Sequence, residues 1–257
     1  MADPCHCIDT KQISIFTVYS FKFEYQNTTI MKRKAWGTIL LPVLAITGIL
    51  SLVALKNDIK GHPAAKPADN AGLTLPTGFN ANIIADNIGS ARHIVVTPQN
   101  EIYVKLKGTE KGKGILLLHQ NGNKAAVKTS FGSFGGTGIA IKNGYLYASS
   151  DEEVFRFKLN ANNEVISPDK PEKIITGLLS RHEHEAKAIT LDNAGHLYVN
   201  IGAYSNSCQV KDRQKGSPGQ KGCPILDSAG GIWQFSASKP NQHYGDGVRY
   251  ATGLRNV

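Results

Sequence analysis

The sequence predicts an all-β fold built from repeated four-stranded units, and three observations carry that prediction. A strand, a tight turn and a second strand recur at residues 93–104, 137–148 and 188–199. The second strands carry Tyr103, Tyr147 and Tyr198 at equivalent places, about 44 and 51 residues apart, which is the repeat length of a propeller blade. No long amphipathic helical pattern competes with these strands.

In chain order, residues 1–30 read as an upstream extension, with Met31 as the expected start. Lys32, Arg33 and Lys34 stand directly before the apolar run Ala35–Leu55, the order found in a secretory signal. The run is also long enough to span a bilayer, so residues 31–56 are expected to be a signal peptide or a membrane anchor. Either role places the body of the protein in the periplasm or outside the cell, with the basic side retained inside and inner-membrane anchoring as one outcome. Cys5 and Cys7 in the extension have no second ligand pair nearby and are not read as a zinc half-site. Residues 57–72 are polar and rich in Pro and small side chains, the composition of a linker.

Residues 73–257 are expected to form a partial β-propeller. Each hairpin gains further strands, at Gly114–His119 after the first, Glu153–Leu159 after the second and Gly231–Phe235 after the third. A blade cannot bury both faces alone, so three blades and the opening strand of a fourth imply a longer protein, of which this part is inactive by itself. An open β-sandwich of three irregular repeats is the alternative.

The formal charge of +9 raises the question of a polyanionic partner. Apart from residues 32–34 the basic side chains are scattered and no recognition motif accompanies them, which argues against nucleic acid.

The most unusual segment is Arg181-His182-Glu183-His184-Glu185, directly before the third hairpin. If extended, it places the two histidines on one side and the two glutamates on the other. A metal site, a general base beside an acid and a solvated loop all fit this pattern. Cys208 and Cys223 flank a polar loop, and outside the cytoplasm a disulfide is their natural state. Lys211, Arg213, Lys215 and Lys221 in that loop read as a solvated face. His93, His119 and His196 read as packing or edge residues, and Asp246 as a turn residue.

The run from His184 through Ala188–Ala203, then Ala229-Gly-Gly-Ile-Trp-Gln-Phe and Asp246–Asn256 ending in Gly-Leu-Arg-Asn, resembles the soluble PQQ-dependent glucose/sorbosone dehydrogenases, which are six-bladed propellers. The resemblance covers about residues 73–257. It implies His184 as catalytic base, Glu183 as its neighbouring acid, and Arg255 and Asn256 as contacts to the quinone, with Arg255 also stabilising charge on the quinone oxygen. It implies PQQ and calcium as cofactors, with the calcium ligands after Val257. The implied reaction oxidises an aldose or sorbosone-like aldehyde and passes electrons to an unidentified acceptor. Where the family often has a polar residue at the cofactor edge, this chain has the glycine-rich stretch from Phe134 to Ile139. A calcium-dependent lactonase and a non-catalytic carbohydrate- or protein-binding propeller remain alternatives.

Overall fold

The computed structural model describes residues 15–18 and 70–257. The expected signal or anchor, nearly all of the upstream extension and most of the linker lie outside the described residues. Among the described residues no helix is long and apolar enough to cross a membrane. The first strands are β1 (Ile15–Val18) and β2 (Ala81–Ala85).

Three blades follow. The first is an antiparallel meander of β3 (Ala91–Val96), β4 (Glu101–Glu110), β5 (Lys113–Asn121) and β6 (Lys124–Phe131). The second runs through β7 (Ile139–Lys142), β8 (Tyr145–Ser149), β9 (Val154–Lys158) and β10 (Glu172–Thr176). The third is built from β11 (Ile189–Leu191), β12 (His196–Ile201), β13 (Gly231–Ser236) and β15 (Val248–Thr252). The first strands of successive blades, β3, β7 and β11, pack against one another, so the blades radiate from a common inner edge. The architecture is a partial β-propeller.

The strand period explains how blades stack. In β4, Ile102, Val104 and Leu106 face one side, where they pack with Ile84, Leu116 and Leu118. Tyr103 faces the other side and joins a core with Leu146, Ala148 and Phe157 of the second blade. In β8 the alternation repeats, and Tyr147 enters the next core with Leu197, Val199 and Trp233 of the third blade. Each fully buried aliphatic or aromatic side chain contributes about 1.5–3 kcal/mol. The turns are local: Asn143 and Gly144 both have positive φ, at 49° and 77°, the type I′ geometry that matches the right-handed strand twist.

The expected opening of a fourth blade is corrected. The segment after β13 first gives β14 (Gln242–His243), which pairs in parallel with β10 on the outer edge of the second blade. It then turns back as β15, which pairs antiparallel with β13 and completes the third. One connection thus belongs to two sheets, held by buried Gln242, whose Nε2 donates to the Ser236 and Lys239 carbonyls at 2.8 Å.

Candidate functional site

Because the meander is the same in each blade, the starts of the first strands and the ends of the second strands lie at one rim. That rim carries Arg92 and Lys107 from the first blade, Thr137 and Asp151 from the second, and His184, Glu185 and Asn256 beside the third. All of them line a single cavity of about 230 Å³, together with His182.

The segment 181–185 is not an extended strand. His182 and His184 have φ of 60° and 50°, so the chain turns sharply at both, and Glu185 faces the cavity with the histidines rather than opposite them. Glu185 Oε1 accepts from the Ser180 hydroxyl at 2.8 Å and from the His182 backbone N–H at 3.0 Å. These bonds, Ser180 foremost, hold its carboxyl below its usual range.

His184 is oriented by the Ala203 carbonyl, just past the end of β12, its partner at Nδ1. A carbonyl only accepts, so Nδ1 carries the proton and the neutral ring keeps its lone pair on Nε2. Gly202 lets this happen. A Cβ there would stand 2.3 Å from the His184 carbonyl oxygen and 2.6 Å from its Cβ.

Asn256 Oδ1 accepts from Nδ2 of Asn200, which is buried and also donates to the Ala186 carbonyl at 3.2 Å. Arg255 is exposed, and its backbone carbonyl accepts from Ala203 N at 2.7 Å. Ala203 therefore ties His184 and the Arg255-Asn256 pair to one backbone position. Ala203 also lines a second cavity of about 280 Å³, with Ile225, Leu226 and Leu254 as apolar wall, Ser205, Asn206 and Arg255 as polar groups, and Cys208 and Cys223 beside them. Those cysteines form a disulfide with Cα atoms 5.8 Å apart.

Glu183 does not line either cavity. Its Oε1 accepts from Arg213 Nε at 3.0 Å, so the residue expected as the acid beside His184 is instead joined to the disulfide loop. Two fully buried lysines stand behind the rim. Lys187 donates to the Glu185 carbonyl, and burial pulls its amine down to about 8. Lys105 donates to the Phe134 carbonyl at 2.8 Å and the Gly114 carbonyl at 3.3 Å, and burial pulls it down to about 7. Nearby Asp151 opposes both shifts.

Arg92, Lys107, Asp151 and Asn200 were not singled out in the sequence. They sit at strand ends far apart in the chain, and only the blade repeat, read for its rim positions, marks them.

The donor set fits an anionic quinone. Arg92 and Lys107 line the cavity opposite the acidic Asp151 and Glu185; neither cation is in an ion pair among the described residues, and Arg92 Nε donates to Thr137 Oγ1 at 3.4 Å. Among the described residues no group of three or more His, Cys, Asp or Glu could hold a metal ion.

Residues 73–257 match the family model described as TrAA12-like. Among solved structures, the iodide structure of a Trichoderma reesei carbohydrate-active enzyme of family AA12 is 19% identical, with a TM-score of 0.49, over 65% of this chain and 41% of that one. The calcium structure of the same enzyme family from T. reesei is 17% identical, with a TM-score of 0.47, over 63% and 40%. The holo form of the PQQ domain of pyranose dehydrogenase from Coprinopsis cinerea is 13% identical, with a TM-score of 0.47, over 64% and 39%. The match thus spans about two fifths of the length of each of these structures. No curated protein matches the chain. With its family model matched across residues 73–257, which hold all three blades, the chain belongs to the TrAA12-like family.

Proposed function

We propose that this chain is part of a PQQ-dependent oxidoreductase, a closed six-bladed propeller that oxidises an aldose or a sorbosone-like aldehyde. The observation that carries this reading is His184: its Nδ1 is tied to the Ala203 carbonyl, and its Nε2 is left as a base beside a cavity lined by Arg92 and Lys107. PQQ, when bound, supplies a quinone carbonyl carbon that accepts hydride.

The chain's residues do the rest. Arg92 and Lys107 meet the carboxylates of the quinone, and Asn256, positioned by Asn200, donates its amide at the cofactor edge. Arg255 lines the second cavity, next in the chain to Asn256 on the first, and from that boundary it stabilises negative charge on the quinone oxygen. His184 Nε2 takes the proton of the sugar hydroxyl, and the Ala203 carbonyl stabilises the ring as it becomes cationic. The second cavity suits the sugar itself, because its apolar wall and polar rim match the two kinds of surface on a pyranose. Calcium is expected on residues outside those described. The apolar run Ala35–Leu55 exports the domain or tethers it to the inner membrane.

The test is a titration of the full-length protein with PQQ, followed by dye reduction with aldoses. Binding is expected, and His184→Gln is expected to lower kcat by about 10²–10⁴ with PQQ still bound. Failure of the full-length protein to bind PQQ, or an unchanged kcat in His184→Gln, would overturn the reading.

A further inference from the structure

The β12–β13 connection is a closed unit. Within it the Cys208–Cys223 disulfide closes a loop, and Gln209 knits the interior of that loop, donating from Nε2 to the Gln214 and Ser217 carbonyls and accepting at Oε1 from Arg213 N. One charged side chain leaves this unit toward the site. Arg213 Nε lies 3.0 Å from Glu183 Oε1 and 3.4 Å from Asp212 Oδ2 within its own loop.

The segment that Arg213 reaches is under backbone strain. His182 and His184, on either side of Glu183, both hold a left-handed conformation, which is unfavourable for a residue with a side chain. Each neighbour has its own restraint: Glu185 accepts from His182 N, and His184 bonds the Ala203 carbonyl. Glu183 has Arg213. Its other carboxylate oxygen is buried without a hydrogen-bond partner, so the guanidinium compensates a carboxylate that is partly out of water.

We propose that Arg213 is a positioning residue. Through Glu183 the disulfide-braced loop holds the His182–His184 turn in the shape that presents His184 to the cavity. The two loops on either side of β11 and β12 are thereby coupled, although thirty residues separate the two side chains in the chain. The kinetic consequence rests on His184 being the base; the conformational one does not.

Amide hydrogen exchange on the full-length protein separates the two. In Arg213→Ala, exchange across residues 181–185 should quicken about threefold to fivefold, the scale of a partly exposed ion pair, while β11 and β12 stay unchanged. Arg213→Lys should restore part of the protection. Glu183→Gln keeps the shape and loses only the charge; it should match Arg213→Ala, and the double variant should be no faster than either single. If His184 is the base, kcat in Arg213→Ala falls by a similar factor at unchanged KM. Quickened exchange with unchanged kcat would leave the clamp standing and remove the base. Unchanged exchange at 181–185 in both single variants, or additive effects in the double, would overturn the proposal; Glu183→Gln alone decides if Arg213→Ala does not fold.

Discussion

Gly202 and His184 occupy the same volume: a methyl on Gly202 would lie 2.3 Å from the His184 carbonyl oxygen, 2.6 Å from its Cβ and 3.0 Å from Asn256 Oδ1. Space, not backbone freedom, demands glycine here. Gly202→Ala therefore has to push the base segment and Asn256 out of place. Overpacking of this kind costs about 1–3 kcal/mol of stability. The expected kinetic effect is larger, because a displacement near 1 Å at a base lowers rate by about 10²-fold. Denaturant melts and kcat of the full-length variant check both; wild-type values for each would show that the contact is slack.

The blade-to-blade contact is polar as well as apolar. Tyr147 is buried on β8, and its hydroxyl donates to the Ala237 carbonyl of the third blade at 3.0 Å. Tyr103 does the same one blade earlier, to the Asn163 carbonyl at 2.8 Å. Tyr147→Phe keeps the packing and loses this bond together with the hydroxyl's hydrogen bond to the Arg156 side chain. Ala237 retains the Arg156 guanidinium as a donor at 3.2 Å, so the expected loss is only about 0.5–1.5 kcal/mol. Urea unfolding of the pair of proteins measures it, and a loss above that range would mean that the hydroxyl also organises the second blade.

These tyrosines show how much of the fold was legible in the sequence. Their spacing and the turn chemistry of Asn143-Gly144 are local, so the hairpins and the blade period could be read directly. The end of the chain could not. Gln242 joins β10 and Val248–Thr252 joins β13, and pairing with two different sheets leaves no trace in local pattern. At the site, His184 stood out because its segment is chemically unusual. Glu183 looked like its partner by adjacency, yet backbone turns at both flanking histidines send its carboxylate to Arg213. Arg213 itself read as one of four solvated charges. Lys105 shows a further limit: it sits in the alternating pattern of β4 on the Tyr103 side, and the carbonyls of Gly114 and Phe134, from elsewhere in the chain, together with that of Leu106 accept from its buried amine.

The disulfide closes a 15-residue separation. Restricting the unfolded chain over such a loop is worth about 3 kcal/mol by the chain-entropy argument. Cys208→Ser with Cys223→Ser should lower the urea midpoint accordingly with little change in slope. It should also raise KM for the sugar more than it lowers PQQ affinity, since both cysteines line the second cavity and neither lines the first. Equal weakening of sugar and quinone would show that the two cavities are not separate subsites.

Lys105 gives the fold a pH dependence of definite sign. Its amine titrates near 10.5 when unfolded and is brought down to about 7 by burial. Between those values the unfolded chain holds the extra proton, so stability rises with pH as the folded amine is freed of its charge. Lys187, brought down to about 8, adds the same sign over a narrower window. Tyr103 acts in the opposite sense only at higher pH: its phenol moves from 10.0 to about 12, so its contribution is lost above 10. From about pH 7 to pH 9.5 the lysines dominate these shifts, and Tm should climb. Lys105→Met removes the larger shift and keeps a similar stem, so its Tm should lie above the parent at pH 7 and converge with it as pH rises. Parallel curves for the two proteins would show that Lys105 stays charged in the fold, held by the carbonyls of Gly114 and Phe134 and by Asp151.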